Sequence, residues 1–277
     1  MGNIVRTNSG KVEEFGKDNG LIHEAVITGR KVGAGREFWS KLAHNEELFK
    51  KVVSFTMGID INSDLEISPL EAIRIMGKNY LGPECWSSLG IFATDKERDY
   101  FHSAVPFSRE ELETCKDTHI LVAICSVSIL DIREKVLELG ERNYKMIGVF
   151  KGFYPSCQPA WYNEELFAKE KCKYGWYLVR KYPVSGSFKK TYEEQLSLLE
   201  GNEKNPNAAL VLYTIIAHYL LTHEKLFKNR YIRTSSVASD GNHVWIGIDG
   251  PFPAGWGDSF GFRKLGIAAI RKSNSNR

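Results

Sequence analysis

The sequence has no run approaching the roughly 18 consecutive apolar residues that a membrane-spanning helix needs, so no membrane partner is expected. Its first residues, MGNIVRTNSG, hold no apolar stretch of the kind that marks a secretory signal. Thr7 stands one place too late for the myristoylation pattern that Met1-Gly2 begins. Cysteine is scarce and scattered. Positions 85, 115, 125, 157 and 172 make an odd number with no C-x-x-C pair. That argues against a disulfide framework or a structural zinc site and for reduced thiols in a cytoplasm. An excess of one charge is also lacking. With 37 basic and 34 acidic residues the net charge is +3, too even for a chain that neutralises phosphates, so nucleic acid is not an expected partner. No G-x-S-x-G elbow occurs. His218 and His223 lie five apart and fall on different helix faces, unlike the two ligands of a zinc protease. No internal repeat of about 20 to 50 residues is present. These absences leave no catalytic residue, metal or cofactor expected, and the chain reads as a protein that is not an enzyme.

What is present is ample core material: 43% apolar and 12% aromatic residues in a chain of 277, enough for one large or two small domains. Phe38, Leu42, Phe49, Val52 and Val53 recur at helical spacing between Arg36 and Phe55. Ser68-Pro69-Leu70-Glu71 predicts a helix start with proline at its first position, closed by Gly77. Ser108 with Glu111 predicts a helix to about Cys115, and Thr191 with Glu194 one over Tyr192–Leu199. His119–Cys125 reads as a buried strand or the start of a buried helix, and Ile129–Leu139 as a helix stopped by Gly140. Met146–Phe150 predicts a strand, Glu164–Glu170 a short helix and Gly175–Lys181 (GWYLVRK) another strand. Asn205-Pro206 predicts the cap of an apolar helix over Ala208–Leu221. After Arg230 only short strands remain, in YIRTSS, HVWIGID and LGIAAIRK. Helices lead and strands finish, so the expected class is α+β, with a mostly helical region over 1–105 and an α+β domain over 106–277.

Two segments offer other readings. Thr28-Gly29-Arg30-Lys31-Val32-Gly33-Ala34-Gly35 follows a strand-like run at Glu24–Thr28 and precedes a helical one, the context of a dinucleotide-binding turn. Its spelling is similar to the T-G-x-x-x-G-x-G of short-chain dehydrogenases, and Tyr177–Lys181 has the spacing of their Tyr-x-x-x-Lys. A nucleotide-dependent enzyme using Gly29, Gly33 and Gly35 is therefore the alternative function, and a flexible glycine loop the plainer account. A stripe of Phe38, Leu42, Phe49 and Val53 would make the first region a helical protein-interaction module, although such stripes are more often core.

The final 47 residues carry the most information. Trp245, Phe252, Trp256, Phe260 and Phe262 fall within 18 positions, among glycines and prolines that forbid long regular elements. Trp245 alternates with Val244 and Ile246, so if that pair faces a core the indole faces out. Exposed aromatics on a rigid, turn-rich surface suit protein binding. The competing account is a small β-subdomain that buries them.

The pattern R-T-S-S-x-x-S-D-G-N-x-V-x-I-G, then G-W-x-D and L-G-I-A-A-I-R-K, resembles the end of a large family of uncharacterised bacterial proteins common in candidate-phylum genomes. The likeness extends upstream through GREFWSKLAHNEELFKKV, AIRIMGKNY, PFSREELETCKDTHILVA, GWYLVRK and TYEEQLSLL. The closing part is also similar to the C-type lectin-like variable proteins of diversity-generating retroelements, in which adenine-directed mutagenesis rewrites codons near the 3′ end of the gene. The resemblance implies a C-type lectin-like domain of short antiparallel strands, with GWYLVRK paired to LGIAAIRK. It implies a scaffold of Gly247, Trp256, Asp258, Gly266 and Arg271. It further implies a variable ligand-binding surface of Trp245, Ile248, Phe252, Gly257, Phe260, Phe262 and Lys264, presented to a protein ligand without catalysis. Randomised AAY codons yield Ile, Phe and Gly but neither Trp nor Lys, so Trp245 and Lys264 depart from the pattern. Two other lectin-fold classes fit less well. The late reactive cysteines of formylglycine-generating enzymes are missing after Cys172. The E-P-N or Q-P-D of calcium lectins is missing too, and Trp256-Gly257-Asp258 stands where W-N-D would.

Overall fold

Ser68, Thr94, Ser108, Ser128, Thr191 and Asn207 each start a helix by accepting from one of its first free amides. The computed structural model describes residues 22–45, 48–49, 52, 66–143, 145, 150, 161–247, 250–252, 257–259 and 261–272, with backbone alone at 250–252 and 272. Its contacts divide the chain into Met1–Asn62 and Ser63–Arg277. The expected boundary at 105/106 lies inside the second unit.

In the first unit, residues 22–31 form helix α1 and Arg36–His44 helix α2. The run Glu24–Thr28, expected as a strand, is therefore helical. Packing decides the matter: Gly29 leaves room for Trp39 of α2, and a Cβ there would stand 2.5 Å from the indole. The Trp39 Nε1 donates to the Ala34 carbonyl at 3.0 Å. Gly33, at φ 98°, closes α1, because its amide and that of Ala34 donate to the Arg30 and Gly29 carbonyls at 3.2 and 2.8 Å. This is a Schellman closure, which a left-handed glycine permits.

In the second unit, Ser68 caps α3 (Pro69–Met76) by accepting from the Glu71 amide, with Pro69 in the first turn and Gly77 after the last. A strand β1 (Tyr80–Leu81) and helix α4 (Glu84–Leu89) follow. Thr94 and Glu97 form a reciprocal capping box on α5 (Asp95–Ser103), and Ser108 caps α6 (Arg109–Cys115) as expected. β2 (His119–Ile124) is buried along its whole length, which settles its run as strand rather than helix. Ser128 and Asp131 box the start of α7 (Ile129–Arg142), which continues through Gly140 to Asn143. An interior glycine costs about 1 kcal/mol, and packing of Ile132 and Val136 in the core offsets it. Most of the expected strand at Met146–Phe150 lies outside the described residues. The segment at 164–170 is a 3₁₀ turn (Trp161–Glu164) followed by α8 (Leu166–Lys169).

Strand β3 (Gly175–Arg180) and helix α9 (Tyr192–Leu196) are where the sequence predicts them, α9 with its full Thr191–Glu194 box. After β4 (Glu203–Lys204) comes α10 (Ala208–Thr222), buried on every side from Ala208 to His218. Such a helix belongs to the centre of a core. Its cap is Asn207, accepting from the Leu210 amide, and not Asn205-Pro206. Asn205 instead donates through Nδ2 to the carbonyls of Arg233 and Ala268, at 3.1 and 2.9 Å. The chain then forms β5 (Tyr231–Val237), β6 (His243–Gly247), β7 (Gly250–Phe252), β8 (Leu265–Ile267) and β9 (Ile270–Lys272).

Two mixed sheets result, ordered β1-β2-β3-β9-β4 and β7-β6-β5-β8. The class is α+β. GWYLVRK does pair with the closing segment, Leu178 lying opposite Arg271 in antiparallel register. The expectation of antiparallel strands needs correction at β5–β8, which is parallel with Tyr231 opposite Leu265. The chain between β7 and β8 is long enough to return to β5 in the same direction, and parallel pairs need such a crossover. LGIAAIRK is two strands, not one: β8 serves the second sheet, β9 the first, and Ala268-Ala269 lie between.

The first sheet also holds a closed charge cluster. The Glu203 side chain is wholly buried and accepts from Arg180 Nε at 2.6 Å. Arg271 Nε and His119 Nε2 lie 3.8 and 3.9 Å from the same oxygen. Burial, together with the charges of Arg271 and Arg180, pulls His119 down to a pKa of about 4, against the opposing effect of Glu203.

Candidate functional site

The second sheet carries an arginine where an apolar side chain would be ordinary. Arg233 on β5 is fully buried, with Trp245 of β6 directly opposite. Its Nη1 donates to Gln195 Oε1 at 3.2 Å and to the Lys190 carbonyl at 3.4 Å, and its Nη2 to the Gly257 carbonyl at 3.3 Å. Asp258 Oδ1 stands 3.9 Å from its Nε, and the guanidinium lies 5.9 Å from the Trp245 ring centre. Burial lowers the arginine pKa while Asp258 and Tyr192 raise it. A guanidinium titrates so far above neutrality that it stays charged.

Asp258 ties the loop after β7 to the body. It accepts from the His243 amide at 3.2 Å and pairs with His243 Nδ1 at 2.6 Å. Its own amide donates to Asn242 Oδ1 at 3.2 Å, and its carbonyl accepts from the Tyr192 amide at 2.9 Å. The Tyr192 ring stacks on His243, with centroids 3.6 Å apart. Burial, reinforced by the Asp258 charge, pushes the Tyr192 phenol up to about 12. Gln195 at the end of α9 is buried and donates to the Ser187 and Leu265 carbonyls, at 2.7 and 3.1 Å. The Phe262 carbonyl accepts from the Lys189 and Leu265 amides, at 3.2 and 3.1 Å. Gly261 passes so close to the Lys189 carbonyl that any side chain there would collide with it. Gly266 is closed in similarly, 2.6 Å separating its absent Cβ from Pro183.

The residues expected to form a variable surface are placed unequally. Trp245 is only 5% exposed, not turned outward. Both faces of β6 are covered: Val244 and Ile246 join the main core, and Trp245 lies against Tyr231 and Arg233. Its Nε1 has no hydrogen-bond partner among the described residues. Gly257 and Phe262 are half-buried and Lys264 is exposed, all three on the loop between β7 and β8. Phe252 lies in β7 opposite Trp245, while Ile248 and Phe260 lie outside the described residues. Of the expected scaffold, Gly247 and Gly266 are buried, Asp258 is the loop's anchor, and Arg271 joins the Glu203 cluster. Trp256 lies outside the described residues. Arg233, Gln195, Tyr192 and His243 were not foreseen as parts of one site. The only signal for them was an arginine inside the strand YIRTSS, flanked by residues that face a core.

The glycine loop at 29–35 has a different setting from the one its spelling predicts. It joins two helices, so no strand precedes it, and the Gly33 and Ala34 amides close α1 instead of facing outward. Tyr177 lies buried in β3 with its hydroxyl donating to the Lys173 carbonyl at 2.9 Å. Of the helical stripe, Leu42 is buried, Phe38 and Phe49 are exposed, and Val53 lies outside the described residues. Among the described residues no cluster of three His, Cys, Asp or Glu side chains could hold a metal ion, and no helix is long and apolar enough to cross a membrane. No protein-family model matches this chain, and no curated protein or solved structure gives a significant match to it.

Proposed function

We propose that this chain is a non-catalytic ligand-binding protein whose C-terminal part is a C-type lectin-like scaffold of the retroelement-diversified kind. Its region 248–264 presents changeable side chains to a protein ligand. One observation carries the reading. At positions 257 and 262 the anchoring bonds are made by main-chain carbonyls, to Arg233 and to the Lys189 and Leu265 amides. Side chains at these positions can change without removing the bonds that fix the loop. The pairing of β3 with β9 further supports the scaffold, since it joins an early strand to the closing one. The presenting set is Ile248, Phe252, Gly257, Phe260, Phe262 and Lys264. Trp245 moves to the scaffold, with Arg233 and Asp258, because of its burial. A cytoplasmic location belongs to the same proposal and is supported by Cys85, Cys115, Cys125 and Cys172, all buried free thiols.

The test is deep sequencing of the 3′ part of the gene across its source population, together with any nearby near-copy. Substitutions confined to template adenines in codons 248–264, with codons 233, 245 and 258 constant, are the expected result. An invariant 3′ end with no near-copy would overturn the diversified reading.

A further inference from the structure

A second candidate site lies well away in sequence from the loop at 248–264 and does not depend on it. Between α3, α4 and α5 is an open cavity of about 420 Å³, within the range of about 300–1,000 Å³ usual for small-molecule sites. Tyr80 and Trp86 lie in its wall, both nearly buried. Phe92 stands on its rim with 88% of its surface exposed, and Ile73 beside the opening is 42% exposed. Phe92 and Ile73 together extend the apolar lining of the hollow out to the surface, and contiguous exposed apolar area of this kind marks a ligand-binding groove.

The charges around the cavity are unequal. Arg98 is committed: Nη1 donates to the Ala93 carbonyl at 2.9 Å, and Nη2 is paired with Asp95. Glu84, exposed on the lining, has no cation within ion-pair distance among the described residues, and its side chain accepts from the Gly82 amide at 3.2 Å. Its charge reaches the cavity wall, where it adds to burial in raising the Tyr80 phenol. His102 is exposed on the same lining. Aromatic faces with an unanswered carboxylate attract cations, and an anion would have to draw Arg98 away from Asp95.

We infer that this cavity binds a small organic cation, an ammonium carried on an aromatic or apolar body. The experiment titrates the full chain with phenyltrimethylammonium and, separately, with benzenesulfonate, an anion of nearly the same shape, following tryptophan fluorescence. Saturable binding of the cation and none of the anion is expected. Glu84→Gln keeps an oxygen for the Gly82 amide and should weaken cation binding about five-fold, the effect of losing one solvent-screened Coulomb contact. Ser87→Trp places a large side chain from an exposed lining position into the opening and should abolish binding, while circular dichroism verifies that each variant is folded. Equal binding of both ions, unchanged affinity in either variant, or no saturation by the cation would each overturn the inference.

Discussion

The two sheets bury opposite members of an ion pair, and the difference separates a cluster that ties strands together from one that ties a loop to a sheet. In the first sheet the carboxylate is enclosed: Glu203 is wholly buried between Arg180 and Arg271, whose outer ends reach solvent. In the second the cation is enclosed: Arg233 is wholly buried, and its carboxylate partner Asp258 is 30% exposed at the base of a loop. A buried carboxylate held by two strands fixes register and little else. A buried guanidinium whose forks grip loop carbonyls holds an exposed loop in one place from beneath. Preorganisation of that kind is what a binding surface requires.

The sharpest way to break the contrast is to remove each anion. Glu203→Ala leaves Arg180 and Arg271 facing each other across an enclosed position, and should cost about 3–5 kcal/mol in chemical denaturation. A pH titration tests the same cluster by another route. His119 has its folded pKa lowered from 6.5 to about 4, so the unfolded chain takes up the proton first as pH falls. The stability it contributes is complete above pH 6.5 and is lost as pH falls towards 4, by an amount on the order of 3 kcal/mol. His119→Gln should flatten that part of the profile. Asp258→Ala removes bonds to His243 yet leaves Arg233 its Gln195 and carbonyl acceptors, so about 1–2 kcal/mol is expected. Hydrogen exchange should show the loss concentrated at the Tyr192 amide and at 257–262. If Asp258→Ala costs as much as Glu203→Ala, the two clusters are alike and the contrast fails. The smallest effect belongs to the exposed loop itself: Lys264→Ser should change the unfolding free energy by less than about 0.5 kcal/mol.

Much of the fold was legible because it rests on local chemistry. Ser68, Ser108 and Thr191 announce their helices by side-chain capping, which needs only neighbours three residues away. GWYLVRK reads as a buried strand from its own composition. Glu24–Thr28 misleads because its apolar residues suit either element, and the deciding contact, Gly29 against Trp39, is made by another helix. Trp245 misleads in a related way. Alternation predicts an outward face only where one side of a sheet is wet, and here the second side is buried too, its Arg233 held by Gln195 and the Gly257 carbonyl. Asn205 was misplaced as a cap because its partners, the Arg233 and Ala268 carbonyls, are 28 and 63 residues ahead. The candidate site was legible only as a segment. Its glycines and Asp258 stood out in the motif, whereas Gln195 and Tyr192 come from a helix whose sequence speaks only of its own start.

The two alanines between β8 and β9 set an order of events. Residues 265–267 complete one sheet and residues 270–272 the other, inserting between β3 and β4. During synthesis, β3 can pair with β2 at once but must wait for residue 271 to gain its second neighbour, and β4 has no neighbour in the sheet until then. High sequence separation slows folding, and until that stretch emerges a long apolar helix and several bare strand edges have no finished place. A nascent chain stalled before residue 265 should therefore aggregate where one stalled beyond 272 does not.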